Sequence, residues 1–379
     1  MSLIKRRSSP RIKDPIMSMY KKNQLVGLDI GSHSIKLAEI DHHRKGMRLK
    51  NFGLINLPPD AIVDGSIKKK EVVSSAIKDL FKNLKVKNRN VATSIPGFSV
   101  ITKKIILNNI YESEIEDMIK EEAEQYIPFD INEVNIDFDL LPAIDESEGV
   151  VGDKNEKEDS GKIEVMLVAA KKDIIDEYVS LFQVADLNPE VFDVDAFALQ
   201  NAFEISTEEQ NGCYALVNIG AKELGINVIK GGVSLFIRDS SFGGSQITEG
   251  IMSNFNVSFE EAEKIKLGGT NVDKKKKRLA EHFTSVVSDW VKEIKRALDF
   301  VTSTYPDETI EKIIVCGGSC RIPKFQEYLE LETNIQVEEF NPFEKLIIDE
   351  KKFDARYLKH IAPQSGVAVG LALRSVGDK

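Results

Sequence analysis

Cysteine is scarce in this sequence, which contains only Cys213, Cys316 and Cys320 among 379 residues. Three is an odd number, and the spacing is not that of a disulfide framework. Cys213 and Cys316 lie beside or within apolar strand patterns. We therefore expect buried structural thiols and not metal ligands, since unpaired cysteine is among the most buried residue types.

Long apolar runs are also missing. No segment approaches the roughly 18 consecutive apolar residues that a membrane-spanning helix needs. The first twenty residues lack the apolar core of a signal peptide. We therefore expect a soluble, cytosolic protein; if it works at a membrane, a partner brings it there.

Positive charge is in deficit, because the formal net charge is -10. This balance argues against nucleic acid as the main partner, which usually requires a basic face. There are two local exceptions, a short run at 274–278 and an N-terminal arm that contains Lys5, Arg6, Arg7, Arg11 and Lys13. A solvated tail and an exposed helix start are the simpler interpretations, and attraction of the arm to anionic lipid is the alternative.

The length of 379 residues exceeds that of one simple core and predicts two or more domains. The content of 42% apolar and 30% charged residues is typical of a soluble globular protein.

A short pattern occurs twice in the chain. An apolar run leads to Asp29 or Asn218, then to the turn glycines Gly31 and Gly220, and then to small residues before a second apolar run. A glycine turn can place backbone N–H groups around a phosphate, because glycine has no Cβ that blocks close approach. One copy alone is typical of an ordinary hairpin. Two copies predict turns that bind a phosphate chain from opposite sides.

A third element follows the apolar strand pattern Ile310–Cys316. It consists of Gly317 and Gly318, with Arg321 at the start of a helix marked by Pro323. Two glycines let a flat ring approach the backbone, and a guanidinium can stack on that ring. A plain strand-to-helix turn is the alternative interpretation.

The long helix predicted at Lys275–Thr304 supplies a fourth element. Glu293 and Arg296 are three residues apart and share a helix face. The carboxylate could accept hydrogen bonds from ribose hydroxyls while the arginine lies against a base, and a surface ion pair is the alternative. The fifth element, Gly366–Ala372, is rich in small residues and suits close helix packing or a hinge.

Both halves of the chain begin with a strand meander and continue into helices, which indicates an internal duplication. Between them, a strand–helix–strand–strand–helix module is predicted to be an insertion. We expect its last helix, Asp173–Leu187, to open with an N-cap aspartate. A further helix is predicted at Asp193–Glu204. The acidic stretch Asp145–Lys162 shows no periodicity and is predicted to be a mobile loop.

In this order the five elements resemble the nucleotide-binding fingerprint of the superfamily that contains actin, heat-shock chaperones and sugar kinases. The resemblance is closest to the PilM family of type IV pilus assembly proteins, which is related to the division protein FtsA. It extends from Leu25 to Arg374 and is carried by five segments: Gly27–Lys36, Tyr126–Phe129, Phe192–Asn201, Phe242–Gly244 and Val369–Arg374.

The resemblance implies an α/β, actin-like (ribonuclease H-like) fold with two lobes. The expected organisation is a disordered basic arm (1–20), the first part of lobe I (21–99), an inserted α+β subdomain (100–187), a connecting helix of lobe I (188–210), lobe II (211–360, with a helical part at about 245–309) and a return helix (361–379). The implied ligands are ATP and Mg²⁺. The implied partner is the cytoplasmic N-terminal peptide of a PilN-like inner-membrane protein, alongside other pilus assembly proteins and self-association.

The resemblance also assigns roles to residues. Asp29 would hold Mg²⁺ through water, as suits a cation that dehydrates reluctantly. Asp193 would orient an attacking water, as the catalytic residue. The nucleotide would contact residues of the two glycine turns, the Phe242–Gly244 segment, the third element and the long helix. These are Gly31, Ser32, Ser34, Lys36, Gly220, Ala221, Gly243, Gly244, Glu293, Arg296, Gly317, Gly318 and Arg321.

Asn218 departs from the family pattern, which has aspartate at this position. An amide cannot act as a general base and attracts Mg²⁺ far less than a carboxylate does. We therefore expect ATP binding with slow hydrolysis or none. The alternatives are an ATP-dependent small-molecule kinase of the same superfamily and an FtsA-like polymerising division protein. FtsA ends in an amphipathic membrane helix, and no such pattern follows Arg374.

Overall fold

The computed structural model describes residues 24–44, 46–63, 65–108, 115–141, 162–208, 211–268 and 276–378. The basic N-terminal arm and almost all of the predicted acidic loop therefore lie outside the described residues.

The first lobe is built on a five-stranded sheet. Its strand order is β10-β6-β1-β2-β3. β1 pairs antiparallel with β2, and β2 with β3, whereas β6 and β10 run parallel to β1. The strands are β1 (Val26–Ile30), β2 (Ser34–His43), β3 (Gly46–Asn56), β6 (Asn90–Ile95) and β10 (Asn188–Val194). The short hairpin of β4 (Ile62–Val63) and β5 (Ser66–Ile67) and helix α1 (Lys70–Asn83) connect β3 to β6.

The second lobe repeats this sheet. Its order is β13-β12-β11-β14-β15, with three antiparallel strands followed by two parallel ones. The strands are β11 (Cys213–Ile219), β12 (Leu224–Lys230), β13 (Val233–Ser240), β14 (Ile310–Cys316) and β15 (Gln336–Glu339). The same order and directions in both lobes confirm the predicted duplication and the α/β class.

A third, smaller sheet forms the core of the inserted subdomain. β9 (Lys162–Lys171) lies between β7 (Val100–Asn108) and β8 (Val134–Leu140), and all pairs are antiparallel. Helix α2 (Ile115–Tyr126) packs Ile119 and Ala123 into this core. The sheet and α2 therefore have a hydrophobic core of their own.

Helix α3 (Lys172–Val184) follows β9 but packs elsewhere. Its buried side chains Tyr178, Leu181 and Phe182 belong to the core of the first lobe. The predicted N-cap at Asp173 is wrong. The helix begins at Lys172, its N-cap is Lys171, and the Asp173 carboxylate accepts from the neighbouring amide of Ile174.

The remaining helices belong to the second lobe and to the chain crossings. They are α4 (Asp195–Ser206), α5 (Ser245–Phe255), α6 (Phe259–Lys266), α7 (Lys276–Thr304), α8 (Phe325–Thr333), α9 (Ala355–Ile361) and α10 (Gly366–Leu371). In α7, buried residues recur at spacings of three and four, and Trp290 packs edge-on against Phe325. Within the described ranges, no helix is long and apolar enough to cross a membrane.

Besides the short β4–β5 hairpin, two strands of the five-stranded sheets were not predicted from the sequence, and each lies at an edge of its sheet. β10 includes Pro189 and a bulge, and its apolar run continues directly into helix α4, so its pattern merges with that of the helix. The predicted helix at Asp193 consequently starts two residues later, at Asp195. β15 is a polar edge strand of four residues, which is too short for an alternating pattern.

Helix α10 passes between β1 and α4 at backbone-to-backbone distance. A Cβ on Gly370 would lie 1.6 Å from the Ala198 carbonyl oxygen, and a Cβ on Gly27 would lie 2.3 Å from that of Ala368. The glycine-bearing fifth element is therefore explained by close packing in the first lobe.

We predict that Gly370→Ala lowers the free energy of unfolding by about 3 kcal/mol, because overpacking a closed contact costs about 1–3 kcal/mol or slightly more. The higher helix propensity of alanine alone would raise the free energy of unfolding, by up to about 1 kcal/mol. Urea titration followed by circular dichroism measures the difference.

Gly318→Ala is the matched control, since a Cβ there would meet only Gln364 Oε1 at 3.7 Å. Its stability should stay within about 0.5 kcal/mol of wild type. If Gly370→Ala is as stable as wild type, the close contact between α10 and α4 is contradicted.

Candidate functional site

The two predicted turns are built alike. The Gly31 amide donates to the Ser34 carbonyl at 3.1 Å, and the Gly220 amide donates to the Glu223 carbonyl at 2.8 Å. Each turn ends the central strand of its sheet, β1 or β11. Because these two glycine amides close the turns, they are not available as phosphate donors. The next amides along each turn, those of Ser32 and Ala221, make no hydrogen bond within the described chain.

The turns differ in charge. In the first, Asp29 pairs in register with Lys36, and the Lys36 Nζ lies 3.1 Å from Asp29 Oδ2. In the second, the equivalent pair is Asn218 and Gly225. The second turn therefore has a neutral amide where the first has a carboxylate, and no side chain where the first has a lysine.

Asp195, the first residue of α4, stands beside this charged pair. Its side chain hydrogen-bonds with Ser94 and is electrostatically coupled to Asp29 and Lys36. Burial, reinforced by Asp29, raises the pKa of Asp195 to about 7. The group can therefore exchange a proton near neutral pH, as a general base must.

Asp193 does not fit the catalytic role that the resemblance implies. Its side chain is fully buried, and Arg374 Nε donates to its Oδ2 at 2.7 Å. Both partners of this ion pair are shielded from solvent, so Asp193 holds the C-terminal segment against β10. The carboxylate near the Asp29 turn is Asp195.

A carboxyl pair of the second lobe meets the first lobe at Gly97. Glu223 Oε1 accepts from the Gly97 amide at 2.9 Å, and Glu223 also hydrogen-bonds with Asp239. Burial raises the pKa of Asp239 to about 6. A Cβ on Gly97 would lie 2.1 Å from Asp239 Oδ2, so the lobes touch directly here.

Residues of both lobes line one pocket at this junction. The first lobe contributes Asp195, Ala196 and Leu199, and the second contributes Asn218, Glu223 and Asp239 among others. The pocket thus lies between α4 of the first lobe and the sheet of the second lobe, with Asp195 on one side and Asn218 on the other.

The predicted glycine pairs surround the second turn. The amides of Gly244 and Ser245 donate to the carbonyls of Gly220 and Ala221 at 3.1 and 2.8 Å, and Ser319 Oγ donates to the Gly220 carbonyl at 2.8 Å. Gly317 has a φ of +87° and would clash with Ile219 if it carried a Cβ. Gly318 faces open space, which leaves room for a flat ring.

Glu293 accepts more hydrogen bonds than the predicted pairing with Arg296 alone. Its carboxylate accepts from Arg238 at 2.8 Å, from Ser240 at 2.9 Å and from Arg296 at 3.2 Å. A carboxylate has about four acceptor positions, so one remains for a ligand. Arg238 on β13 is a site residue that the sequence did not reveal, because its proximity to Glu293 depends on how α7 packs on the sheet.

Arg321 does not fit its predicted stacking role. It forms a bidentate pair with Glu339 and donates to the carbonyls of Lys359 and His360 at the end of α9. Its Nε–Oε2 distance to Glu339 is 2.7 Å. This residue ties β15 and α9 to the turn after β14.

Helix α6 brings further polar groups to the first turn, also unforeseen from the sequence. Lys266 Nζ lies 2.6 Å from Glu263 Oε1 and 2.9 Å from Thr248 Oγ1. Burial lowers the pKa of His33, which lies in the first turn, and both Glu263 and Lys266 act on it electrostatically. The two lobes therefore approach each other on this side as well.

Comparison with known proteins identifies the family. Residues 27–376 match the sequence model of the family described as Type IV pilus assembly protein PilM. The chain belongs to the PilM family. It is similar to the solved PilM-PilN type IV pilus biogenesis complex, with 27% identity and a TM-score of 0.80 over 93% of this chain and 98% of that chain.

A second solved structure shows the same fold at lower identity. The ethanolamine utilization protein EutJ from Carboxydothermus hydrogenoformans matches with 16% identity and a TM-score of 0.54, over 96% of this chain and 91% of that chain. The actin-like fold and the family resemblance inferred from the sequence are both confirmed.

Metal binding in this PilM-family chain would rest on few protein ligands. Among the described residues, no group of three or more His, Cys, Asp or Glu side chains is arranged to hold a metal ion. This fits Mg²⁺, which keeps several waters and binds through one or two carboxylates and substrate phosphates. Asp29 and the open amides of the turns suit such a bound nucleotide.

We predict a pH-dependent stability difference between wild type and Asp195→Asn. The folded pKa of Asp195 lies above its ordinary value of 3.8, so the folded chain keeps this proton where the unfolded chain loses it. The stability contributed by Asp195 therefore falls as pH rises from about 4 to about 7. Relative to wild type, the Tm of Asp195→Asn should rise over this range and level off above pH 7.

Calorimetry across the pH range measures the effect, and Asp289→Asn at an exposed position of α7 is the control. The control should show no trend with pH. If the Tm difference between Asp195→Asn and wild type is the same at all pH values, the raised pKa of Asp195 is contradicted.

Proposed function

We propose that this PilM-family chain is an ATP-binding scaffold of type IV pilus assembly. In this proposal it binds ATP with Mg²⁺ between its lobes and binds the cytoplasmic N-terminal peptide of a PilN-like inner-membrane protein. The observation that carries the nucleotide proposal is that each lobe has a turn closed by the same backbone hydrogen bond, and that residues of both lobes line one pocket.

The first lobe would bind the phosphates and the metal. Asp29 would hold Mg²⁺ through water, and Lys36 would place its ammonium by the phosphates. The hydroxyls of Ser32 and Ser34 and the open amide of Ser32 would add hydrogen bonds. Bound Mg²⁺ supplies positive charge that offsets the charge of the phosphate chain.

The second lobe would bind the other side of the phosphates and the nucleoside. The Ala221 amide would bind the phosphates in place of the Gly220 amide, which closes the turn. Gly243 and Gly244 lie beside this turn. Gly317 and Gly318 would form the surface for the base, and Glu293 has one acceptor position left for a ribose hydroxyl, with Arg296 at the exposed rim.

The charge difference between the turns supports slow hydrolysis. Phosphoryl transfer to water depends on placed charges around the metal and the attacking water. The second turn offers the neutral Asn218, so the carboxyl groups that could accept a proton in the pocket are those of Asp195, Glu223 and Asp239. We infer that ATP acts mainly as a ligand that holds the lobes together.

Binding of ATP tests the nucleotide proposal. Titration calorimetry with Mg²⁺ should show one site per chain. Gly318→Leu should weaken it at least tenfold, because a side chain there fills the space for the base, while the Tm without ATP stays near that of wild type. Equal ATP affinity in wild type and Gly318→Leu would contradict this site.

We predict that Asn218→Asp increases the rate of ATP hydrolysis about tenfold or more, because it restores a carboxylate opposite Asp29. General-base and charge placement effects of this kind typically contribute about 10²–10⁴-fold. Phosphate release measures the rate, and Asn256→Asp at an exposed helix end is the control. Rapid hydrolysis by wild type, unchanged in Asn218→Asp, would contradict the inference.

The inserted subdomain is the proposed site of the peptide. Four large apolar side chains are exposed on it: Ile106, Tyr126, Phe129 and Leu140. The solved relative is a complex of PilM with PilN. Ile106 lies on the other face of the sheet from Leu140, because their partners Glu164 and Val165 are neighbours on β9. A peptide that covers Tyr126, Phe129 and Leu140 would bury apolar surface at about 25 cal/mol per Å².

We predict that Leu140→Glu weakens binding of a PilN-like N-terminal peptide at least tenfold, because the charge enters the apolar contact. Fluorescence anisotropy with a labelled peptide measures it, with Leu331→Glu on α8 as the control. ATP binding should be unchanged in both variants. Equal peptide affinity in all three proteins would place the peptide elsewhere.

A further inference from the structure

Two carboxyl groups of the second lobe make the contact with the first lobe at Gly97. A single helical turn, Gly97–Ser99, follows β6, and its Gly97 amide donates to Glu223 Oε1 at 2.9 Å. The Asp239 carboxyl lies between two glycines, because a Cβ on Gly97 would be 2.1 Å from its Oδ2 and a Cβ on Gly225 would be 3.0 Å from its Oδ1. We call Gly97, Glu223 and Asp239 the carboxyl junction.

The carboxyl junction needs a proton to hold together. The side chains of Glu223 and Asp239 hydrogen-bond with each other. An ionised carboxylate only accepts hydrogen bonds, so one of the two groups must carry an O–H. Two ionised carboxylates in contact repel each other instead. Because Glu223 also accepts from the first lobe, loss of the proton weakens the contact between the lobes.

The acidic groups around the junction favour the bound proton. Asp195, at the start of α4, interacts electrostatically with Asp239, and repulsion between two acids favours the protonated form of each. Tyr178 on α3 is a further acidic group, and the charge of Glu223 acts on it. A negative charge on the junction is therefore disfavoured from both α3 and α4.

The nearest cations are engaged elsewhere. Arg238 precedes Asp239 on β13, but side chains alternate between the faces of a strand, and Arg238 pairs with Glu293 of α7 at 2.8 Å. In the first turn, Lys36 pairs with Asp29 at 3.1 Å. A proton is thus the simplest positive charge that can join the two carboxyl groups.

A second contact between the lobes does not titrate. The Gln200 side chain on α4 accepts from Asn227 Nδ2 at 3.2 Å and from Ser234 Oγ at 2.8 Å, both on the sheet of the second lobe. Amide and hydroxyl groups stay neutral across the pH range in which carboxyl groups titrate. The lobes therefore remain joined along α4 when the carboxyl junction opens.

We propose that the carboxyl junction is a proton-dependent switch of lobe contact. When Glu223 and Asp239 share a proton, Glu223 stays in place to accept from Gly97, and the lobes are closed at this edge. When the proton leaves to solvent, the two carboxylates separate, and the lobes open here while α4 keeps them joined. The switch does not require ATP, so it goes beyond the proposed function.

Hydrogen exchange of the Gly97 amide, followed by NMR on the full chain without ATP, tests the proposal. Burial raises the pKa of Asp239 from its ordinary value of 3.8 to about 6 in the closed junction, so the closed state binds the proton more tightly. Closure is therefore favoured at low pH and weakens as pH rises through about 6. Relative to an unstructured peptide at the same pH, protection of Gly97 should fall about tenfold between about pH 5 and about pH 7.5.

Two variants separate the shared proton from other effects of pH. Asp239→Asn and Glu223→Gln each supply an amide N–H donor that does not titrate, and the glutamine keeps an Oε1 that can accept from Gly97. In both variants, protection of Gly97 should vary by less than about twofold over the same pH range. Asp289→Asn, at an exposed position of α7, is the control and should retain the wild-type fall.

Either of two results would overturn the proposal. One is protection of Gly97 in wild type that does not change with pH. The other is the same fall in wild type and in both amide variants. Urea titration confirms that the variants are folded. Because ATP is absent from these measurements, failure here is distinguishable from failure of the nucleotide site, which ATP titration at one pH tests separately.

Discussion

A glycine amide that closes a four-residue turn at the end of each central strand is the constraint on which the site depends. The bond fixes how β1 turns into β2 and how β11 turns into β12, and it is the same bond in both lobes. It occupies the glycine amide and leaves the following amide open. The two sheets also share strand order, and residues of both lobes, Asp195 and Asn218 among them, line one pocket.

The repeated backbone carries unequal chemistry. One turn holds the Asp29–Lys36 pair, while the other has Asn218 and Gly225 at the same register. Gly225 has no side chain, which leaves room for Asp239: a Cβ on Gly225 would lie 3.0 Å from the Asp239 carboxylate. Asp239 hydrogen-bonds with Glu223, which accepts from the Gly97 amide. The second lobe thus places Glu223 and Asp239 in the same pocket as Asn218, while the register position of Asp29 itself is occupied by a neutral amide.

Much of this fold could be predicted because the first three strands in each lobe are apolar or alternating runs and the turns between them contain glycine. The rest depended on contacts between distant residues. Asp193 and Asp195 are separated by one residue, and only the pairing of Asp193 with Arg374, 181 residues away, decides which carboxylate stands by the pocket. Arg321 likewise carries a suitable charge at a suitable place in the sequence, but Glu339 and the end of α9 hold it. Arg238 and Lys266 gave no sequence signal, since helix packing alone brings them to the site.

In the proposed complex, one nucleotide is bound by both turns at once. Hydrogen–deuterium exchange with and without ATP and Mg²⁺ tests it directly, because an open amide that binds phosphate exchanges more slowly. We expect ATP to slow exchange at the turns around Ser32 and Ala221 and at the segment around Gly318 simultaneously, and to leave exchange in the inserted subdomain unchanged. Protection confined to one lobe, or located away from all three segments, would contradict it.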